Sequence, residues 1–181
     1  MAKFYTALDD KLKAFIGQQR IFFTGSAPVE GRVNVSPKGM DSFRVLDDTT
    51  VAYLDVTGSG NETSAHIEQN GRLTIMMCSF DETPTIFRMY GRGEVIRLGD
   101  ARWAEYHRHF PDIPGQRQII LLHIESAQTS CGFGVPLYMY AGERGTLVDW
   151  AEKRGDTMEE YRQNKNLTSI DGLPTGWPRK Q

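Results

Sequence analysis

The feature that most constrains the fold is a succession of short strand patterns between Ile21 and about Cys131. In several of them apolar and polar residues alternate, as Val33 and Val35 do with their neighbours, which is typical of strands with one buried face. Only brief helical patterns separate these six or so runs, whereas parallel strands would need longer crossover helices. The sequence therefore predicts an α+β, mainly β protein built around an antiparallel barrel, whose closure removes exposed sheet edges.

Helical patterns flank and interrupt the strands. An amphipathic helix is expected at the start of the chain, from apolar residues at helical spacing: Phe4, Leu8, Leu12, Phe15 and Ile16. Residues 61–69 are expected to form a helix that ends at Asn70 and Gly71, a pair suited to a helix C-cap. Further helices are predicted over residues 100–110, 147–153 and 158–165. The helices at the two ends of the chain would pack on the outside of the barrel.

Two strand patterns carry more specific expectations. Leu73–Cys78 is apolar at nearly every position, which predicts a strand covered on both faces. A longer pattern over residues 86–98 is interrupted by Gly91 and Gly93. Because glycines inside a strand usually mark a bulge or a sharp bend, a bend is expected there.

Composition excludes some classes of function. The 181 residues carry 21 Lys and Arg against 23 Asp and Glu, a formal net charge of -2, which offers no basic surface for nucleic acid. No apolar run approaches the roughly 20 residues that span a bilayer. Asp9 and Asp10 stand where a signal peptide would need an apolar stretch, so a cytoplasmic location is expected. Cys78 and Cys131 could form one disulfide, but free thiols agree better with a reducing compartment.

The glycine-rich segment from Gly58 to Thr63 is the most informative candidate for a binding site. It follows a strand pattern and precedes a helix, so unpaired backbone N–H groups and the helix dipole would favour an anion there. Its glycines allow a close approach, and three side chains add hydrogen-bond donors: Ser59, Asn61 and Thr63. The alternative is a plain turn in which Asn61 or Thr63 caps the helix. The lysine and the spacing of a Walker motif are absent.

A second candidate is the strand pattern that ends at Lys38. Arg32, Asn34 and Ser36 share one face of this strand, and the Lys38 ammonium at its end could meet a phosphate or a ring oxygen. The alternative is an exposed edge strand stopped by Pro37, in which Lys38 only adds a surface charge.

No group of residues supplies reactive chemistry by itself. The four histidines show no metal-ligand spacing, so no metal site is expected. The sequence also shows no nucleophile–base pair and no GxSxG elbow. If the chain is an enzyme, a bound cofactor is expected to provide the reactivity.

Several segments together resemble a known family. In chain order they are VNVSPKG, FRVLDDTTVAYLDVTGSGNETSAHI, GRLTIMM and IFRMYGRGEVIRL, and they are similar to the pyridoxamine 5'-phosphate oxidase-like FMN-binding split-barrel family over about residues 20–130. Two tail segments, CGFGVP and NLTSIDGLP, resemble a subgroup that also carries the SPKG and GSGNET motifs. The resemblance implies a six-stranded antiparallel split β-barrel with short flanking helices. It further implies a homodimer with FMN bound at the subunit interface.

The expected domain organisation follows from this resemblance. Residues 1–135 would form the FMN-binding split-barrel domain, including the N-terminal helix. Residues 136–181 would form a C-terminal helical extension and a tail that pack on the barrel.

The resemblance also assigns residues to the cofactor by position. Ser36 would contact the isoalloxazine ring, and Lys38 would bind the phosphate. A second strand would run beside the ring through Tyr53, Leu54 and Asp55. The loop and helix start that follow would hold the phosphate through Gly58, Ser59, Asn61, Glu62 and Thr63.

The chain departs from the best-known family members in two places. They carry Ser-Arg-Lys in the phosphate loop, where this chain has Asn61, Glu62 and Thr63 after Gly60, so mostly neutral donors are expected to hold the phosphate. The Trp-Arg-Leu-like signature of the vitamin B6 oxidases is absent from the tail. The sequence therefore predicts an FMN-dependent oxidoreductase that acts on another small molecule. A non-catalytic flavin, haem or deazaflavin binding module is the alternative, and a dimer with an empty cleft is a third.

Three polar residues of the tail are candidates for a lid over the site, because Ile170 and Leu173 could anchor the segment. They are Asn166, Ser169 and Asp171.

Overall fold

The computed structural model describes residues 2–180, and within them eight strands form one curled sheet. The strands are β1 (Lys3–Tyr5), β2 (Phe22–Ser26), β3 (Asn34–Lys38), β4 (Phe43–Val45), β5 (Thr50–Val56), β6 (Arg72–Cys78), β7 (Thr85–Arg97) and β8 (Gln116–Cys131). The helices are α1 (Asp10–Gln18), α2 (Glu62–Asn70), α3 (Trp103–His107), α4 (Thr146–Arg154) and α5 (Met158–Lys165), with a 3-10 turn at Gly155–Thr157.

Every strand pair in the sheet is antiparallel. The order is β3-β2-β6-β7-β8-β5-β4, and β1 pairs with the far end of β8. The fold class is therefore confirmed as mainly β, with a curled antiparallel sheet and short helices. The structure has eight strands rather than six, and the two three-residue strands, β1 and β4, account for the difference.

The opening helix is shorter than the apolar spacing predicts. The Asp9 side chain accepts a hydrogen bond of 2.9 Å from the Leu12 N–H and caps the helix, which therefore begins at Asp10. Leu12 and Ile16 are buried as expected. The prediction was wrong for Phe4, which lies in β1 and is 66% exposed, because residues 3–5 pair with β8 instead of continuing the helix.

The apolar core lies on both faces of the sheet. Along β5 and β8, alternate residues enter two clusters, so that Tyr53 and Ile120 lie in one while Leu54 and Ile119 lie in the other. These two strands are covered on both faces, and so is the end of β7, where Val95 and Ile96 enter the two clusters in the same way. The same expectation for β6 was wrong, since its Thr74 and Met76 are only partly buried and burial alternates along most of the strand.

The bend in β7 is confirmed. The register against β8 shifts between Tyr90 and Gly91. A Cβ at Gly91 would lie 1.9 Å from the backbone oxygen of His123, so only glycine allows the two strands this close approach. The end of α2 is also confirmed, because Gly71 adopts a left-handed conformation (φ 72°) and donates its N–H to the Ile67 oxygen.

The remaining helices lie where the sequence predicts them, but not all of them have the predicted length. The helix predicted over residues 100–110 is reduced to α3, whereas α4 and α5 agree closely with their predicted ranges. After α5 the tail returns towards α2. Cys78 is buried, Cys131 is exposed, and both are free thiols. In residues 2–180, no helix has the length and apolar character needed to cross a membrane.

Candidate anion-binding site

The site begins where β5 runs into the turn that precedes α2. Asn61 occupies the N-cap position, yet its side chain makes no capping hydrogen bond. Among the hydrogen bonds of residues 2–180, none is donated by the backbone N–H groups of Glu62, Thr63 or Ser64. These are the donors that a helix start leaves without a partner inside the helix. The first turn of α2 can therefore bind an anion.

A cleft of about 300 Å³ opens in front of this helix start. It is lined by Asn34, Ser36, Pro37, Lys38, Asp55, Val56, Gly58, Ser59, Gly60, Asn61, Glu62, Thr63 and Arg117. The structure thus brings β3, β5, the glycine turn and α2 together around one space. All of the residues predicted for the cofactor site line it, except Tyr53 and Leu54.

Tyr53 and Leu54 lie beneath the surface instead. The Tyr53 side chain is fully buried and packs edge-on against Phe22, with ring centroids 5.4 Å apart. Burial raises the pKa of the Tyr53 phenol, and the negative charge of Asp55 raises it further, so the phenol is neutral. Leu54 belongs to the core cluster on the opposite face of the sheet.

Asp55 is the electrostatic centre of the site. Its Oδ1 accepts a hydrogen bond of 2.8 Å from Lys38 Nζ, and its Oδ2 accepts one of 2.8 Å from Arg117 Nε. Gln118 Nε2 also donates to Oδ2, at 2.8 Å. Burial raises the pKa of this carboxyl, but the charges and hydrogen bonds of Arg117 and Lys38 outweigh burial and hold the pKa well below its usual range. Asp55 is therefore an ionised, acceptor-only group.

Arg117 is the functional candidate that sequence reasoning missed. It is 3% exposed, yet it lines the cleft and lies beneath the glycine turn. Its Nη1 donates to the Gly60 carbonyl at 2.9 Å and to Asn166 Oδ1 at 2.8 Å. A weak signal for it was present, because Gln116, Arg117 and Gln118 open a strand whose next four residues, 119–122, are all apolar.

The two amide side chains at the cleft are linked to each other. Gln118 Nε2 donates to Asn61 Oδ1 at 2.7 Å, and both residues are buried. The opposite ends of the two amides, Asn61 Nδ2 and Gln118 Oε1, are buried without a hydrogen-bond partner in the part of the chain that the structure describes. An unpaired buried donor at a helix start is the kind of atom that a ligand satisfies.

Polar residues of β3 connect this strand to α2. Asn34 Nδ2 donates to Thr63 Oγ1 at 3.2 Å, and Ser36 Oγ donates to Asn34 Oδ1 at 3.2 Å. Arg32 does not join them, because its exposed guanidinium pairs with Asp171 of the tail. Of the charged side chains on this face, only Lys38 reaches the cleft.

The tail supports the glycine turn rather than covering the cleft. Asn166 is fully buried and donates from Nδ2 to the Gly58 carbonyl at 3.1 Å. The Glu62 carboxylate accepts the Ile170 N–H, with both oxygens at 3.1 Å, so it ties the tail to α2. None of the three proposed lid residues, Asn166, Ser169 and Asp171, lines the cleft.

Two larger cavities lie beside the extended segment over residues 138–145, with volumes of about 930 Å³ and about 1230 Å³. In residues 2–180, neither is lined by a side chain with a buried, unpaired polar atom. The smaller cleft combines such a donor with two cations and a helix start. It is therefore the candidate site for an anionic group.

The donor set fits the phosphate of a flavin nucleotide. Lys38 and Arg117 supply positive charge, while the first turn of α2 supplies neutral N–H donors. Phosphate accepts several hydrogen bonds at once, and donors at a helix start suit it well. The residues present therefore agree with the group that the fold implies.

Comparison with known proteins points to the same family that the sequence motifs resemble. The family model for pyridoxamine 5'-phosphate oxidase matches residues 8–131. The pyridoxamine 5'-phosphate oxidase family protein ustO of Aspergillus flavus is 41% identical over 194 aligned positions, which cover 96% of this chain and 78% of the relative.

Solved structures agree in fold at lower identity. A variant of HupZ from Group A Streptococcus is 21% identical with a TM-score of 0.54, and the match covers 67% of this chain and 98% of that one. The FAD binding protein of Mycobacterium smegmatis is 14% identical with a TM-score of 0.50, over 70% of this chain and 97% of that one.

Proposed function

Because the chain belongs to the pyridoxamine 5'-phosphate oxidase family, we propose that it binds FMN and that the cleft in front of α2 holds the phosphate. The observation that carries this proposal is the convergence of Lys38, Arg117 and the start of α2 on one cleft. In this proposal the two charges of Lys38 and Arg117 exceed the single charge of Asp55, and the excess offsets part of the phosphate charge. Asp55 holds both cations in place, and Gly58 allows the ligand to approach the backbone.

We further propose that the protein is a flavin-dependent oxidoreductase acting on a small molecule. Bound FMN would supply hydride exchange at its ring N5 atom. The chain's own residues would bind and orient the cofactor and exclude water. Asp55 supports this assignment of the chemistry to the cofactor, because its two ion pairs leave the carboxylate unavailable for proton transfer.

The test begins with the purified protein. Its visible absorbance spectrum is recorded, and the cofactor released by heat is identified by mass. We expect a flavin spectrum, or one that appears when FMN is added, and release of FMN. A colourless protein that binds no added FMN would refute the binding proposal.

Turnover is tested separately on the FMN-loaded protein. Under anaerobic conditions, NADPH or NADH is added and the loss of flavin absorbance is followed. Reduction at a rate well above that of free FMN supports an oxidoreductase. If bound FMN is reduced no faster than free FMN by either reductant or by dithionite, the second candidate, a non-catalytic flavin-binding module, is preferred.

That second candidate rests on one observation in this chain. No side chain that lines the cleft is a free acid–base group, because Asp55 is held by Lys38 and Arg117 and Glu62 is held by the tail. The FAD binding protein with a similar fold is described by its binding alone.

We propose a homodimer as the working assembly. Support comes from β3, which lies at one edge of the sheet and is apolar on its outer face. Val33 and Val35 are 72% and 64% exposed, and an apolar edge strand is normally covered in the working protein. Light scattering after size-exclusion chromatography is expected to give twice the 20.5 kDa chain mass. A mass of one chain at micromolar concentration would contradict the dimer.

The cytoplasmic location and the domain boundary at residue 135 stay predictions.

A further inference from the structure

We propose that the cavity of about 1230 Å³ beside residues 138–145 binds the organic substrate, and that this substrate is an aromatic carboxylic acid. The inference rests on the proposed function, because it names a substrate class for the proposed flavin enzyme. It goes further by identifying where that substrate binds and which two arginines recognise it.

The walls of this cavity are mainly apolar and rich in aromatic rings. The aromatic residues that line it are Phe23, Phe80, Tyr138, Tyr140 and Trp150. Tyr138 is fixed in place, since its N–H donates to the Phe80 carbonyl at 3.1 Å and its ring centroid lies 5.4 Å from that of Phe80. Even so, Tyr138 and Tyr140 are 67% and 57% exposed. Exposed aromatic faces around a cavity are suited to stack on a flat apolar ligand.

Two arginines at this cavity have no carboxylate partner. In residues 2–180, Arg20 and Arg144 form no ion pair, whereas Lys38, the third cation of the lining, pairs with Asp55. The Arg20 guanidinium lies 5.6 Å from the centroid of the Tyr140 ring, which keeps it at the cavity wall. A guanidinium presents a planar fork of donors that matches a carboxylate. The two arginines therefore favour a ligand that carries this group.

The charges are concentrated where this cavity meets the neighbouring cavity of about 930 Å³. The charged residues that line both cavities are Arg20, Glu143 and Arg144. Glu143 already accepts a hydrogen bond of 2.9 Å from the Tyr140 hydroxyl. Two guanidiniums and one carboxylate leave a single positive charge at the junction. A ligand with one negative charge balances it.

The cavity also adjoins the cleft proposed for the cofactor phosphate. Pro37 and Lys38 line both spaces, so the two meet at the end of β3. A molecule in the cavity would therefore lie next to a cofactor bound in the cleft, as the substrate of a flavin enzyme must. This adjacency and the unpaired positive charge together favour a small organic acid as the occupant.

The backbone that follows Lys38 is strained where it borders both cavities. Met40 (φ 63°) and Asp41 (φ 51°) are consecutive non-glycine residues in the left-handed region, and Met40 lines both cavities. Arg44 holds this corner by donating to the two carboxylate oxygens of Asp41, at 2.9 Å and 3.0 Å. Strain of this kind persists only where the surroundings impose it, and it clusters at ligand sites. The corner therefore supports a ligand at this place.

The test compares two probes of the same shape, cinnamate and its uncharged amide, cinnamamide. The protein is 15N-labelled and is studied both without cofactor and after FMN is added. Dissociation constants are taken from shifts of the Trp150 indole N–H signal, which is assigned from its absence in Trp150→Phe. Trp150 lines the cavity, whereas Trp103 and Trp177 do not and serve as internal references.

The variants are Arg20→Gln, Arg144→Gln and Tyr138→Ala. Arg179→Gln is the control, because Arg179 is exposed and does not line the cavity. Each glutamine substitution removes one positive charge, so the control corrects for a general effect of net charge.

We expect wild type and the control to bind cinnamate about tenfold more tightly than cinnamamide, because only the acid forms charge-assisted hydrogen bonds. Arg20→Gln and Arg144→Gln should each lose much of this preference, with cinnamamide affinity within about twofold of wild type. Tyr138→Ala should weaken both probes alike, because its ring stacks on either. A wild type without preference for the acid would overturn the inference, as would arginine variants that behave like the control.

Further outcomes separate this inference from the proposed function. Wild type that binds FMN but shows no shift of the Trp150 signal with cinnamate would overturn the inference alone. A Trp150 signal that responds to protein concentration instead of cinnamate would assign the cavity to a second copy of the chain, which also overturns it. Cinnamate binding by a protein that binds no FMN would overturn the proposed function and the substrate role with it.

Discussion

Arg117 Nε donates a hydrogen bond of 2.8 Å to Asp55 Oδ2, and both side chains are only 4% exposed. This pair lies under the glycine turn and connects β8 with β5. Arg117 also holds the Gly60 carbonyl and Asn166, so one buried cation organises the turn, the strand and the tail together. The glycine turn itself carries no positively charged residue. Arg117 of β8, which lies beneath the turn, supplies that charge instead.

Removal of the Asp55 charge should destabilise the fold strongly. Asp55→Asn leaves Arg117 buried without a carboxylate, and breaking a buried pair in this way typically costs about 3–5 kcal/mol. Urea unfolding followed by circular dichroism measures the loss. The control is Asp48→Asn, which removes the exposed ion pair with Lys13 and should leave the free energy of unfolding nearly unchanged. Similar losses in the two variants would refute the role assigned to the buried pair.

The same pair predicts a pH dependence. Burial raises the pKa of Asp55, but Arg117 and Lys38 more than offset it, so the folded pKa lies below the unfolded value of about 3.9. The stabilisation is therefore present above about pH 4 and is lost as the pH falls towards the folded pKa. The stability difference between wild type and Asp55→Asn should be constant from about pH 7 to about pH 5 and should shrink below about pH 4. A difference that stays the same down to about pH 3 would contradict the lowered pKa.

The tail residue Asn166 should affect both stability and binding. Asn166→Ala removes the hydrogen bonds to Arg117 and Gly58, and leaving buried groups unpaired costs about 1–3 kcal/mol. The freed glycine turn should also bind FMN less tightly. Asn164→Ala, at an exposed position of α5, serves as the matched control and should change neither quantity. If Asn166→Ala behaves like Asn164→Ala, the tail does not support the turn.

The close approach of β7 and β8 predicts a strong effect at one glycine. In Gly91→Ala the new methyl would meet the His123 backbone oxygen at 1.9 Å, so the strands must move apart. We expect a loss of about 3 kcal/mol, the upper end of the usual cost of overpacking, or failure to fold. In Gly25→Ala, also within a strand, the nearest atom is 3.8 Å away, and thermal unfolding should change little. A small, equal change in both would show that the bulge tolerates a side chain.

The parts of the structure that follow from local pattern were predictable. The glycine turn, the start and end of α2, and Lys38 at the end of β3 are each determined by residues adjacent in sequence. Phe4 could not be placed, because its strand depends on pairing with β8, more than a hundred residues away in sequence.

The site residues that were missed share that dependence on distant contacts. Arg117 and Gln118 became functional candidates only through Asp55, which lies on a strand about 60 residues earlier. Asn166 reaches the turn only because the tail returns to α2. Such groupings are decided by tertiary packing, and the local pattern does not contain them.

The central claim is that the cleft in front of α2 binds FMN, and a titration of the cofactor-free protein with FMN tests it most directly. Quenching of flavin fluorescence is followed for wild type and for Lys38→Met, which removes the ammonium that lines the cleft. The account predicts saturation at one FMN per chain and clearly weaker binding in the variant. A wild-type protein that shows no saturable quenching, or a Lys38→Met variant that binds FMN equally well, would contradict it.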